Sequence, residues 1–236
     1  MVNKAPHPLE NPIWSALTTH QSEIAQIGNF ARRFPREITA LAGIQEATPE
    51  SFESLATITD IGDLAVLFLE SDLGPLPGWE LVEASPLIQM TLAKFETALI
   101  TVDFQELTLT DVPEMVALAE LTKPGPFGIR TIELGNFIGI RRSGALVAMA
   151  GQRLRVPGYT EVSAVCTHPD HLGHRYASAL IVEVVSRILA TGDTPFLHAR
   201  LENTGAIRLY EKLGFKMSKV SRVNILQRSG QFLSGN

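Results

Sequence analysis

The chain has 236 residues, 45% of them hydrophobic and 19% charged, with a formal net charge of −5. This composition describes a globular protein with a sizeable core and excludes a disordered chain. The acidic balance, without any Lys/Arg-rich run, excludes broad nucleic-acid binding by bulk electrostatics.

The single cysteine, Cys166, rules out an intrachain disulfide and fits a reducing compartment. Residues 1–8 hold no apolar run of signal-peptide type, and the apolar run 64–69 is far too short to span a bilayer. A cytoplasmic protein with no membrane or nucleic-acid partner is expected.

In chain order, Asn11-Pro-Ile-Trp-Ser-Ala-Leu17 opens with a proline suited to a helix start, followed by apolar residues at helical spacing. Ile24, Ile27 and Phe30 continue that periodicity, and the basic cluster Arg32, Arg33 and Arg36 reads as a solvated turn. Residues 49–56 form a short helix with Thr48 as N-cap. Two strand-like runs follow at 63–69 and 79–92, separated by a Pro/Gly-rich loop. Pro86 marks the second as an edge or bent strand. This first region, 1–100, carries no nucleophile–base pair and no phosphate loop, and reads as an accessory domain that shapes the acceptor side.

A second domain spans 103–228. Phe104–Leu109 alternates as a strand, Thr110 and Asp111 cap a helix over 112–121, and a proline-stiffened loop covers 123–128. One helical turn is expected at 131–134. Residues 136–141 and 145–155 form a hairpin through Arg142-Ser-Gly144, and 161–167 adds a third strand, with Gly151 marking a bulge or close approach. A glycine-containing turn then leads into a helix over 176–190, whose apolar face is Leu180, Ile181, Val184, Val185 and Ile188. A strand at 196–201, a turn capped by Asn203, a helix at 206–213 and a stop at Gly214 follow. Residues 215–220 and 222–227 read as a closing hairpin.

The focus of the chain is the passage from strand 161–167 through the turn 172–177 into the next helix. The first N–H groups of a helix lack intrahelical partners and sit at the positive end of its dipole, which makes such a turn an anion site. The segments Val165-Cys-Thr-His-Pro-Asp-His-Leu-Gly-His-Arg-Tyr-Ala177 and Asn203-Thr-Gly-Ala-Ile-Arg-Leu-Tyr-Glu-Lys-Leu-Gly-Phe215 resemble the GNAT N-acetyltransferase superfamily, over roughly 103–228. Within it the chain looks most like the two-part, FR-type acyltransferase-like branch. The resemblance implies an α/β fold of the α+β kind, with a mixed, mostly antiparallel sheet. The N-terminal α/β domain then reads as a degenerate copy of the same fold.

The resemblance further implies acetyl-CoA as co-substrate. Its pyrophosphate would lie on Leu172, Gly173, His174, Arg175, Tyr176 and Ala177, and its acyl arm beside Val165, Cys166 and Thr167, with Asn203 and Ala206 alongside. Leu172 and Arg175 depart from the family's polar and glycine positions, and Arg175 offers a charge-assisted phosphate contact instead. Tyr210 is either a core tyrosine or, by family analogy, the acid that protonates the leaving thiolate; it follows Asn203 by seven residues, about two helical turns. Glu161 is a candidate base or water relay, or else an ordinary exposed strand carboxylate, and Glu133 is a weaker rival. His168, His171 and His174 invite a metal reading that lacks a completing ligand set, so no metal is expected. Cys166 is a buried strand cysteine or a covalent nucleophile. The expected activity is direct acetyl transfer in a ternary complex to a primary amine, on a small molecule or a peptide N-terminus, by a monomer or homodimer. The alternative is a catalytically silent acyl-CoA-binding module.

Overall fold

A computed structural model of the chain describes residues 6–95 and 102–230. The helix α1 (Pro12–Thr18) starts at Asn11, whose side chain accepts from the Trp14 amide. The helical periodicity does not continue through Ile24, Ile27 and Phe30. A single 3₁₀ turn gives way to β1 (Gln26–Ile27), β2 (Ala31–Arg33) and β3 (Ala42–Ile44), a small antiparallel sheet that leaves Ile27 and Phe30 exposed. Of the basic cluster, Arg33 is buried rather than solvated and lies 3.8 Å from Asp63. The helix α2 (Pro49–Ala56) takes its N-cap from Thr48 as expected.

Strands β4 (Leu64–Leu69) and β5 (Trp79–Leu92) fall on the two predicted runs, but β5 is not at an edge. After β6 (Gln105–Glu106) and α3 (Val112–Thr122) come β7 (Phe137–Arg142), β8 (Ala145–Val156) and β9 (Tyr159–Thr167). The chain closes with α4 (Tyr176–Ala190), β10 (Thr194–Arg200), α5 (Thr204–Lys212) and β11 (Phe215–Arg228). The eight-stranded sheet runs β4-β11-β5-β10-β9-β8-β7-β6; among the described residues its strands pair antiparallel except β9–β10, which pair parallel. Strand β5 tolerates Pro86 because the Pro86 carbonyl points at the Leu201 amide, so its nitrogen faces a place where β10 has already ended. Residues 215–228 make one strand, not a hairpin, because β5 offers fourteen residues of antiparallel partner and 221 is no turn. The N-terminal residues thus supply a small sheet and two strands of the shared one, instead of repeating the whole fold. The predicted boundary at 100–103 begins outside the described residues.

Two local predictions changed at β6. A capping box joins Thr108 and Asp111, which turns Leu109–Asp111 into a 3₁₀ turn and shortens the strand expected over 104–109. Asp111 therefore does not cap α3 with its side chain; its carboxylate goes to the Thr108 amide and to Arg141. The β7–β8 hairpin turns through Ser143 and Gly144, both at positive φ, as a two-residue loop between right-twisted strands requires. Gly151 is needed for the predicted close approach, since a Cβ there would sit 2.3 Å from the Phe137 ring.

Helix α4 lays Leu180, Ile181, Val184, Val185 and Ile188, all fully buried, on one face of the sheet. Each such side chain contributes about 1.5–3 kcal/mol of burial. The opposite face is covered in two parts: α1 and the 34–41 segment pack around Phe196 and Leu154, while α3 packs on Phe137, Met149 and Cys166. Among the described residues, no helix is long and apolar enough to cross a membrane.

Candidate active site

The parallel pairing of β9 with β10 covers only Tyr159–Thr194, Thr160–Pro195 and Glu161–Phe196. Beyond it, β9 stays with β8 and β10 stays with β5, so residues 162–167 and 197–200 diverge and leave strand edges facing a V-shaped opening. A bulge bends β9 inside that opening. Met149 pairs with Cys166 and Gly151 with Ser163, so one extra residue is accommodated, and Ala164 takes a φ of 52°.

Above the opening, the chain passes through a 3₁₀ turn at 169–171 and reaches the N-terminus of α4. Gly173 has a φ of 82°, and nothing lies within 4 Å of where its Cβ would stand. Arg175 is left-handed at φ 59° and exposed, so it keeps a backbone conformation that usually favours glycine. The Tyr176 ring is buried, with its hydroxyl accepting from Arg142 Nε at 2.9 Å and the Arg142 guanidinium over its face. Leu172 and His174 are exposed at the rim. The rings of His168, His171 and His174 stand 5.8 and 6.4 Å apart in sequence order, and His174 stacks on Tyr176. The three rings form a ladder and do not converge on one point.

On the other side of the opening, Asn203 Oδ1 accepts from the Ala206 amide and caps α5. Tyr210 lies in the α4 core against Phe215, and burial pushes its phenol up to about 12. Its hydroxyl makes no hydrogen bond among the described residues. Thr167 Oγ1, at the top of β9, is likewise buried without a partner.

Burial decides between the readings of two residues: Cys166 is the buried strand cysteine, and Glu161 is not an exposed strand carboxylate. The Cys166 side chain points into the α3 core, and burial pushes its thiol up to about 11, so the covalent reading has no thiolate to work with. Only the Cys166 backbone borders the opening. Glu161 is neither exposed nor free to act as a base. It is fully buried at the point where β9 and β10 part, and accepts from Arg153 Nε (2.8 Å), Arg153 Nη2 (2.7 Å), the Leu154 amide (3.3 Å) and His198 Nδ1 (2.7 Å). Burial alone would raise its carboxyl, but the guanidinium and the imidazole outweigh it and hold the group at about 2. The carboxylate can only accept, so His198 Nδ1 carries the hydrogen. Glu133 pairs with Arg130 at the surface.

Arg153 and His198 are the residues that sequence reading missed. His198 stands mid-strand between Leu197 and Ala199, where a polar residue among apolar ones is the one available signal, while Arg153, between Gln152 and Leu154 and followed by Arg155, gives none. The Phe68 and Phe196 rings flank His198. Beside Arg153, residues 124–127 close a crevice over Ser163 and Ala164 of the bulge. The N-terminal residues hold this loop in place: the Arg130 amide donates to the Glu37 carbonyl and the Thr131 hydroxyl to the Ile38 carbonyl.

A parallel strand pair splayed beneath a helix N-terminus, inside an otherwise antiparallel sheet, is the architecture of acyl-CoA N-acyltransferases. The comparisons agree. The family model of FR47-like proteins matches residues 137–223. A protein from Novosphingobium aromaticivorans, assigned to the acetyltransferases of the GNAT family, is 36% identical with a TM-score of 0.87, over 95% of this chain and 100% of that one. A mycothiol acetyltransferase from Brachybacterium faecium is 29% identical over 176 residues, 70% of this chain and 53% of that protein, so the chain spans about half the length of this curated relative. A GCN5-related N-acetyltransferase from Kribbella flavida shares the fold at 16% identity, with a TM-score of 0.62 over 94% of this chain and 96% of that one. The chain belongs to the GNAT family.

Proposed function

We propose that the protein is an N-acetyltransferase that uses acetyl-CoA and passes its acetyl group directly to a primary amine within a ternary complex. The observation that carries this reading is the splay of β9 from β10 beneath the α4 N-terminus, with open space above Gly173. The unpartnered Thr167 and Tyr210 hydroxyls fit a ligand threaded through that splay. The first-turn amides of α4, with the 172–177 backbone, hold the pyrophosphate, and Arg175 adds charge from the rim. Bound there, acetyl-CoA supplies the thioester carbon to which the acceptor nitrogen bonds as the carbon–sulfur bond breaks.

The chain's own residues manage the protons. Glu161 orients the His198 ring through Nδ1, and Nε2 is the ring atom left to take the amine proton. Tyr210, neutral at physiological pH, donates to the departing sulfur. The N-terminal segment, by holding 128–131 in place, closes the acceptor side. The test joins calorimetric titration with acetyl-CoA to amine-dependent release of free thiol. Binding with release supports the enzyme. Tight binding with no release from any amine returns the chain to a silent acyl-CoA-binding module, and no binding refutes both.

A further inference from the structure

The Arg153 side chain is only 9% exposed, yet one of its three nitrogens makes no hydrogen bond among the described residues. Nε and Nη2 are spent on Glu161. The remaining Nη1 faces the 124–127 loop, since a Cβ placed on Gly125 would lie 3.6 Å from it. The crevice there is bounded by Gly125, Phe127, Thr131, Arg153, Ser163 and Ala164, and its free space of about 10 Å³ suits one water-sized group. Two of those residues, Ser163 and Ala164, belong to the bulge of β9, the strand that borders the splay. Nη1 therefore reaches the crevice as a charged donor with no acceptor among the described residues, and an oxygen seated there completes its hydrogen bonds.

We propose that Arg153 reads the acceptor, and that the acceptor class is an amine with an uncharged carbonyl oxygen beside it, an α-amino amide such as a peptide N-terminus. This rests on the acetyltransferase reading above. The choice between an amide and a free amino acid follows from charge. Glu161, bidentate on the same guanidinium, already neutralises Arg153, so the crevice presents a strong donor without net positive charge. A carbonyl oxygen takes that donor and completes the set. A carboxylate would bring a second anion against one guanidinium in a site with little water, which is the more costly arrangement. A plain alkylamine would leave Nη1 unpaired.

The wild-type protein is assayed for CoA release with matched amines: glycinamide, glycine and propylamine, then the alanine and phenylalanine amide and acid pairs. Efficiencies are expressed per unprotonated amine, which removes the difference in amine basicity. The amides should exceed both other classes by about 10- to 100-fold in kcat/KM, the effect of one hydrogen bond to a charged donor. Equal efficiencies, or a preference for the acids, would overturn the inference while leaving acetyl transfer in place. Release with none of the amines, although acetyl-CoA binds by calorimetry, would overturn the reading beneath it and the inference together. In Glu161→Gln the guanidinium regains its net charge, and the preference should move at least tenfold toward the acids. A folded Gln variant with the wild-type ranking would overturn the charge argument. Should that variant fail to fold, the wild-type ranking decides alone.

Discussion

Replacing Glu161 by glutamine keeps the side chain's shape and removes the charge that Arg153 and His198 share. The carboxyl has its pKa lowered from 4.5 to about 2, and it is fully buried. A folded-state pKa below the unfolded one means stability that is fully present above the unfolded value. It is lost as pH falls from about 4.5 through about 2. The difference corresponds to on the order of 3 kcal/mol. Breaking a buried pair by removing one member costs a similar 3–5 kcal/mol, because the partner stays buried and uncompensated. For a chain of this size that is a drop of roughly 10 °C in Tm at neutral pH.

Thermal and urea melts of both proteins at pH 7, 4 and 3 test this. The gap between wild type and Glu161→Gln should be largest at pH 7 and should narrow as pH falls through that window. A Gln variant that melts within 2 °C of wild type at pH 7, or a gap that does not narrow in acid, would refute the buried ion-pair account.

Gly173→Glu should abolish acetyl-CoA binding in calorimetry at a stability cost of about 1–2 kcal/mol, because the added side chain meets open space in the protein but takes a left-handed backbone position at φ 82°; retained affinity in the folded variant would remove the turn from the site. Tyr210→Phe keeps the packing on Phe215 and removes a hydroxyl without a hydrogen-bond partner among the described residues. It should lower kcat on the order of 10²-fold with unchanged CoA affinity, the low end of general-acid catalysis because donation from a phenol at about 12 is uphill. Unchanged kcat where chemistry limits the rate would return Tyr210 to the core. Arg175→Gly relieves an exposed left-handed residue, so urea melts should show a gain of roughly 0.5–1 kcal/mol. The same change should weaken CoA binding by removing a rim charge, and a variant that gains no stability would show that position 175 is unstrained.

What the sequence determined by itself is local. The apolar stripe of α4 follows from side chains three and four residues apart. The Ser143-Gly144 hairpin, the Thr48 and Asn203 caps, the stop at Gly214 and the 172–177 turn each follow from residues within a few positions of one another. These carried the fold class and marked the turn proposed to hold the cofactor. What only the tertiary structure decided is who pairs with whom. Pro86 reads as an edge signal because a missing N–H cannot be tolerated beside a partner, yet β10 ends at that residue, and nothing in the local pattern reveals where a distant strand stops. The single strand 215–228 depends in the same way on the length of β5, more than a hundred residues earlier. Glu161, Arg153 and His198 come from three adjacent strands, and nothing beside any one of them in sequence points to the other two. Their meeting converts an expected surface base into a buried anchor that is ionised at neutral pH, because only the assembled sheet brings the guanidinium and the imidazole within hydrogen-bonding distance while it removes the water.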